Sequence, residues 1–250
     1  MNPSGHLPYT IAKQESDYEF ADITNSSALL NTSDPNAWQS DFKERLLIDY
    51  RHFDFYNQSV QYEFGFGLSY TTFEMGSSVT VSSTGSAAVS AEPAAASIQP
   101  GGNPNLWNTL YTVKATVTNT GSVAGHAVPQ LYLGLAQPAN GDVTPLKVLR
   151  GFERVWLEPG QSQEVEFPLM RRDISYWDIN AQQWIIGEGD ISVHAGFSSR
   201  DLPLTTSFNP LSGDGCNGQG SGSGNGTYGG GYGGKQHGPY QGHPHWASQS

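Results

Sequence analysis

The stretch Glu164-Val165-Glu166-Phe167-Pro168-Leu169 decides the fold class, because apolar and polar side chains alternate along it with a period of two. Successive side chains of a β-strand point to opposite faces, so the pattern predicts a strand with one dry face. Residues 112–117 and 191–195 alternate in the same way. The side chains expected inside are Val113, Val117, Val165, Phe167, Ile191 and Val193, and those expected outside are Lys114, Glu164, Glu166 and His194.

Turn signals separate these strands at short intervals. They are Asn119-Thr120-Gly121, Glu158-Pro159-Gly160 and Asn180-Ala181, the last lying between the apolar runs 174–177 and 184–186. Many short strands with hairpin spacing and no convincing amphipathic helix predict an all-β sandwich, at about residues 69–209. Within it, Arg171-Arg172-Asp173 is expected to form a surface ion pair and a bend.

Composition changes on both sides of the alternating region and once inside it. Residues 76–105 are poor in large apolar side chains and predict a long surface loop. Residues 1–68 are too few for an independent core and are interpreted as the last part of a larger domain. The last forty residues hold 14 of the 30 glycines, so residues 210–250 are expected to form a disordered tail.

The charge excludes some functions. The formal net charge is −11, which disfavours nucleic acid and anionic membranes as partners. The sequence contains no run of eighteen apolar residues, so no membrane-spanning helix is predicted. The first residues lack the basic and apolar regions of a signal peptide. Four triplets nevertheless fit the N-glycosylation pattern, and whether they accept glycans is left open; they begin at Asn25, Asn31, Asn57 and Asn225.

Several short motifs, in order and spacing, resemble the fungal β-glucosidases and β-xylosidases of glycoside hydrolase family 3. The resemblance covers roughly residues 2–208. It rests on Asn2-Pro3-Ser4-Gly5-His6-Leu7-Pro8, Ile48-Asp49-Tyr50-Arg51-His52-Phe53-Asp54, Tyr62-Glu63-Phe64-Gly65-Phe66-Gly67-Leu68-Ser69-Tyr70-Thr71-Thr72-Phe73, Arg150-Gly151-Phe152, Leu157-Glu158-Pro159-Gly160, Arg171 to Asp178, and Gly196-Phe197-Ser198-Ser199-Arg200-Asp201.

The resemblance implies a mainly β protein. It identifies residues 69–209 as a fibronectin type III-like (immunoglobulin-like) β-sandwich and residues 1–68 as the C-terminal remnant of an α/β sandwich domain. In Phe64-Gly65-Phe66-Gly67-Leu68, the glycines are expected to allow positive φ or close backbone approach at a tight crossover between the two domains. A secreted, extracellular glycoprotein is the localisation that the resemblance implies.

The same resemblance implies that the catalytic residues lie outside this chain. A retaining glycosidase needs two carboxyl groups about 5 Å apart. In the family, the nucleophile is an aspartate of an N-terminal (β/α)8 barrel and the acid/base belongs to an earlier part of the α/β sandwich domain. Both of these parts would be partners of this chain, and the substrate of the parent enzyme would be a β-glucoside or cello-oligosaccharide. Asp49, Asp54 and Glu63 are therefore expected to be solvated or to form interdomain hydrogen bonds, and no catalytic residue is assigned.

Other candidate sites are weaker, so no cofactor or metal is assigned. His237, His243 and His245 could bind a transition metal, but a preorganised site is not expected, and Cys216 has no partner for a disulfide or metal site. Tyr228, Tyr232, Tyr240 and Trp246 could stack on sugar rings, although glycine spacing gives them no fixed platform. The competing interpretation is a non-catalytic fibronectin type III-like module that binds glycan or protein.

Overall fold

The computed structural model describes residues 2–18, 40, 42–85, 88–136, 138, 143–212 and 219–221. Two four-stranded antiparallel sheets dominate them, with strand orders β14-β3-β4-β9 and β13-β12-β6-β7. Their strands are β3 (Phe73–Ser83), β4 (Thr109–Asn119), β6 (Gln130–Gly134), β7 (Val148–Phe152), β9 (Ser162–Met170), β12 (Ile191–Gly196), β13 (Leu204–Phe208) and β14 (Gln219–Ser221). Fibronectin type III-like sandwiches have two antiparallel layers of this kind.

Smaller elements complete the chain. Two short antiparallel pairs lie beside the main sheets, β5 (Gly125–Ala127) with β8 (Val155–Leu157), and β10 (Tyr176–Asp178) with β11 (Gln183–Ile185). Two 3₁₀ helices, Pro104–Trp107 and Arg171–Ile174, precede β4 and follow β9. The N-terminal segment, residues 2–68, contains β1 (Ile11–Ala12), a 3₁₀ helix (Glu15–Asp17), α1 (Tyr50–Phe55) and β2 (Val60–Tyr62).

The predicted core of the sandwich is confirmed. All six side chains that alternation assigned to the inside are at most 3% exposed, and the rings and branched side chains of the facing sheets pack into one cluster. On the outer face, Lys114 lies opposite Glu166 in β9 and pairs with both Glu164 and Glu166. The period of two therefore specified the dry face of β4 and β9, because a shift by one residue would turn every valine to solvent.

The predicted loop at 76–105 is partly wrong. Residues 76–83 belong to β3, where Val79 and Val81 are buried opposite Ala115 and Val113 of β4. Serine and threonine on the solvent side of this strand hid its alternation, although threonine is a good strand residue when one face is wet. The irregular connection starts only after Ser83.

Within the stretch expected to be a disordered tail, the structure describes one short strand. Gln219–Ser221 forms β14, which pairs with Ser78–Thr80 of β3 at the edge of the first sheet. An edge strand offers unpaired backbone groups that accept a further strand regardless of side-chain type, so even a glycine-rich segment can pair there. Residues 213–218 and 222–250, and with them Cys216, His237, His243, His245, Tyr228, Tyr232, Tyr240 and Trp246, lie outside the described residues.

The second main sheet is covered on both faces at β6. All five residues of β6 are buried, including Gln130 and Tyr132, and the Tyr132 ring meets the Tyr50 ring of α1 edge to face at a centroid distance of 6.0 Å. His194 pairs with Tyr132 across the sheet and is half-buried. Its predicted solvent exposure is wrong, because alternation identifies the face turned from the sandwich core but not whether another segment packs on that face.

Candidate functional site: the joint between the N-terminal segment and the sandwich

The joint is the contact between the N-terminal segment and the second sheet, and the candidate carboxylates all belong to this region. It is built around α1 and the turn Phe64–Leu68 on one side, and around β6 and the loop 196–201 on the other. Phe64 stacks against Tyr50 at 4.5 Å between ring centroids, and the Tyr50 hydroxyl accepts a hydrogen bond of 2.9 Å from the backbone N–H of Leu149. Burial raises the pKa of Tyr50, so the phenol stays neutral at this apolar contact.

Asp49 is occupied by local hydrogen bonds. One carboxylate oxygen accepts from the Thr10 backbone N–H at 2.8 Å, and the other accepts from the Thr10 hydroxyl at 2.9 Å and from the Tyr50 N–H at 2.6 Å. Its backbone has φ of +54°, which non-glycine residues rarely adopt. The three hydrogen bonds hold this conformation and attach residues 9–12 to the start of α1, so the carboxylate has a structural role.

Asp54 connects α1 to the sandwich through two cations. Its oxygens lie 2.7 Å from Lys147 Nζ and 3.0 Å from Arg200 Nε, and its side chain is only 7% exposed. Arg200 also donates to the backbone carbonyl of Gln58 at 2.8 Å. One carboxylate thus connects residues on either side of the joint, and both of its oxygens are used.

Glu63 contacts a tight loop of the sandwich. The Ser198 hydroxyl donates to Glu63 at 2.8 Å and accepts from the N–H of Asp201 at 2.9 Å. The Ser199 N–H donates to the Phe64 carbonyl at 2.9 Å. Burial, and secondarily the charge of Glu63, raise the pKa of Asp201. Each of the three carboxylates therefore has its own structural partners. Asp54 and Glu63 contact the sandwich, as expected for interdomain hydrogen bonding, whereas the partners of Asp49 lie within the N-terminal segment.

Gln130 is the centre of the joint and was not found from the sequence. Its amide nitrogen donates to the carbonyls of Gly65 at 3.1 Å and Phe197 at 2.7 Å, and its amide oxygen accepts from the Tyr132 hydroxyl at 2.6 Å. Gly65 has φ of +81°, and a Cβ there would collide with the Gln130 amide, so the expected glycine requirement is confirmed. A polar residue inside the otherwise apolar strand Gln130-Leu131-Tyr132-Leu133 is the signal that could have indicated it.

His194 lies beside the same contact. Burial, with a smaller contribution from the positive charge of Lys147, lowers its pKa to about 4 from the usual 6.5. Its Nε2 lies 3.1 Å from the Ser192 hydroxyl, while Nδ1 is buried with no hydrogen-bond partner among the described residues. The imidazole is therefore held neutral at ordinary pH, and acid would introduce a charge into the covered face of the sheet.

Arg171-Arg172-Asp173 differs from the predicted surface ion pair. Arg171 is buried, and its guanidinium donates to the carbonyls of Ser90 and Ala91, the latter at 2.9 Å. Asp173 accepts instead from the Met170 N–H at 2.9 Å and closes the 3₁₀ helix. The bend is confirmed, but Arg171 binds backbone because its guanidinium is enclosed by the loop at 90–91.

The described residues contain no group of three or more His, Cys, Asp or Glu side chains that could hold a metal ion. None of their helices has the length and apolar character needed to span a bilayer.

The sequence and the fold are similar to those of known proteins. Residues 127–199 match the fibronectin type III-like domain family. The chain is similar to fungal β-glucosidases, and its structural neighbours include glycoside hydrolase family 3 β-glucosidases. It is 51% identical over 212 residues to probable β-glucosidase G of Aspergillus flavus and 49% identical over 213 residues to probable β-glucosidase M of Aspergillus niger. These matches span 85% and 83% of this chain but 25% and 26% of the relatives.

The solved structures that are similar to this chain are also β-glucosidases and related glucohydrolases. The β-D-glucoside glucohydrolase of Trichoderma reesei superposes with a TM-score of 0.70 at 40% identity, over 84% of this chain and 27% of that one. A glycoside hydrolase family 3 β-glucosidase of Neurospora crassa gives a TM-score of 0.69 at 32% identity, over 83% and 32% respectively. The chain thus spans about a quarter of the length of its fungal relatives.

Proposed function

We propose that this chain acts as the non-catalytic C-terminal part of a β-glucosidase that releases glucose from the non-reducing ends of β-glucosides. In this proposal residues 1–68 are the end of the enzyme's α/β sandwich domain, and the sandwich supports them through the joint. The main support is that the carboxylates of Asp49, Asp54 and Glu63 all form structural hydrogen bonds or ion pairs.

The chemistry of the reaction makes that observation informative. A retaining glycosidase needs a free nucleophilic carboxylate and a second carboxyl group that holds a proton, about 5 Å apart. Both oxygens of Asp49 accept hydrogen bonds, and both oxygens of Asp54 contact cations, so these atoms are already occupied by protein groups. Neither carboxylate is free to contact a sugar while the joint is intact. In the proposal, the nucleophile and the acid/base come from the (β/α)8 barrel and an earlier part of the α/β sandwich domain.

The surface of the N-terminal segment supports the same proposal. Among its described residues, seven large apolar side chains are 40% to 72% exposed, although the segment is short: Tyr9, Phe42, Leu46, Ile48, Tyr56, Tyr62 and Leu68. An accumulation of exposed aromatic and aliphatic groups is typical of a surface that packs against another part of a protein. The proposed occupant is the rest of the α/β sandwich domain. Secretion of the enzyme is part of the proposal, and Asn57, which begins a glycosylation triplet, is exposed.

The test compares the isolated chain with a chimera. The 250-residue chain should not hydrolyse an aryl β-glucoside above background. A Trichoderma reesei β-D-glucoside glucohydrolase whose matching region is replaced by this chain should retain activity. In the chimera, Asp54→Asn should lower thermal stability while kcat per folded molecule stays unchanged, because Asp54 holds the joint and does not touch substrate.

Two results would contradict this proposal. The first is turnover by the isolated chain that disappears in an Asp49→Asn, Asp54→Asn, Glu63→Gln triple variant, since loss of a catalytic carboxylate removes several orders of magnitude of rate. The second is a chimera that folds, as judged by circular dichroism and a single sharp melting transition, but has lost activity.

A further inference from the structure

Three tryptophans and one arginine, here called the tryptophan cluster, meet outside the two main sheets. Trp107 ends the 3₁₀ helix Pro104–Trp107, Arg172 lies in the 3₁₀ helix Arg171–Ile174, and Trp177 and Trp184 belong to the β10-β11 hairpin. The Arg172 Cζ atom lies 5.2 Å from the ring centroids of both Trp107 and Trp184. The Trp177 and Trp184 rings are 5.9 Å apart at an interplanar angle of 72°.

The cluster is open to solvent. Trp107 and Trp177 are 44% and 43% exposed, and Arg172 is exposed as well. Among the described residues, the Arg172 guanidinium makes no ion pair or hydrogen bond, so its N–H donors have no acceptor there.

The backbone under the cluster is fixed. The Arg171 N–H donates to the Asn108 carbonyl at 2.9 Å, which ties the two 3₁₀ helices together. Asp178 accepts from the N–H groups of Asn180 and Ala181 at 2.8 Å and 2.9 Å and shapes the turn of the hairpin. Little conformational freedom remains to be lost when a ligand binds, so the surface is preorganised.

We propose that the tryptophan cluster is a binding site for a soluble, neutral β-glucan chain. The apolar faces of pyranose rings stack on indole, and ring hydroxyls accept hydrogen bonds from the free guanidinium. The angle of 72° between Trp177 and Trp184 gives no flat platform, which suits a twisted single chain rather than the surface of crystalline cellulose. The net charge of −11 disfavours nucleic acid and other polyanions, which tryptophan and arginine could otherwise bind.

The choice of a β-glucan rests on the proposed function, because a β-glucosidase acts at chain ends and gains effective concentration if it stays bound to the same polymer. The site itself rests only on the geometry of the cluster. A binding assay on the 250-residue chain therefore separates the two proposals, since hydrolysis by the chimera does not enter it.

The experiment is affinity electrophoresis of the 250-residue chain in native gels that contain soluble mixed-linkage β-glucan, with dextran gels as reference. The wild-type chain should be retarded by β-glucan and not by dextran. Trp177→Ala should raise the apparent dissociation constant for β-glucan, obtained from retardation at several glucan concentrations, about fivefold to tenfold, as expected for loss of one aromatic contact. Arg172→Lys should also weaken it, because lysine keeps the charge but loses the planar stacking and the fork of donors.

Trp156→Ala is the matched control, because Trp156 is 47% exposed and meets His126 edge to face, at 4.9 Å between ring centroids, in the separate β5-β8 pair. It should bind β-glucan as the wild type does, with all variants melting at similar temperatures. Three results would overturn the proposal: no retardation of the wild type, equal loss in Trp156→Ala and Trp177→Ala, or binding to microcrystalline cellulose alone. The first would leave the same rings available to a protein partner instead.

Discussion

Replacing Asp54 by asparagine should loosen the joint without disturbing the sandwich. The substitution preserves shape and one hydrogen-bond acceptor but removes the negative charge that faces Lys147 and Arg200. The Asp54 side chain is 7% exposed, whereas Lys147 and Arg200 are 17% and 32% exposed. Breaking a fully buried pair costs about 3–5 kcal/mol, and a surface pair contributes about 1 kcal/mol or less. Because the cations keep some water, we expect a loss of about 2–3 kcal/mol in unfolding free energy.

The chain offers a matched control in Glu166→Gln. That substitution also turns a lysine-paired carboxylate into an amide, but the Glu166 and Lys114 side chains are 56% and 36% exposed. Solvent screens this pair, so its removal should leave stability within the error of the measurement. Added salt should reduce any effect of Glu166→Gln further and should change the effect of Asp54→Asn much less.

Urea unfolding at pH 7 measures the loss, and hydrogen exchange locates it. In Asp54→Asn, the amides of Tyr50–Phe55 should exchange faster while those of β4 and β9 keep their protection, because only the joint is weakened. A double-mutant cycle with Arg200→Gln should give a coupling energy well above that of Lys114 with Glu166. The reasoning is refuted if Asp54→Asn and Glu166→Gln have equal effects, or if protection falls evenly over both sheets.

Two further predictions concern the same joint. The pKa of His194 is lower in the folded chain than in the unfolded chain, so between pH 6.5 and about 4 the unfolded chain binds more protons than the folded one. The unfolding free energy should therefore be highest above pH 6.5. It should fall by up to about 3 kcal/mol as the pH drops through that window. His194→Gln should flatten this part of the curve in urea titrations at stepped pH, and an unchanged slope would contradict the assignment. Gly65→Ala should cost more than Gly160→Ala, because both have positive φ but only Gly65 faces the Gln130 amide. We expect about 1 kcal/mol for Gly160→Ala and 1–3 kcal/mol more for Gly65→Ala, and equal melting temperatures would argue against the clash.

The sequence was sufficient for the inside of the sandwich because that information is local. Alternation in β4, β9 and β12 identifies the buried face without knowledge of the partner strands. Val79-Thr80-Val81 of β3 shows the same alternation, although the serines, glycines and alanines around it give the segment the composition of a loop.

The joint could not be predicted in the same way because its contacts are long-range. Asp54 meets Lys147 and Arg200 across 93 and 146 residues of sequence, and no local pattern specifies such a pairing. His194 shows what alternation cannot predict. The pattern correctly placed its side chain on the face away from the sandwich core, but it could not show that a neighbouring segment covers that face. The family motifs gave the only indirect signal, because two of them, Tyr62–Phe73 and Gly196–Asp201, meet at the joint.

This convergence bears on whether the sandwich is a free-standing module. Tyr132 is fully buried and Gln130 is 3% exposed, although both lie on the side of the sheet that faces away from the sandwich core. Removal of the N-terminal segment would leave a tyrosine, a histidine with an unpaired nitrogen and two cations without Asp54 on one exposed face. A module that evolved to stand alone would carry charged or small polar groups there. The part of the second sheet around β6 is therefore built to be covered. This supports the proposed role as the C-terminal part of an enzyme over that of an independent binding domain, and the glycan binding proposed for the tryptophan cluster would add to that role.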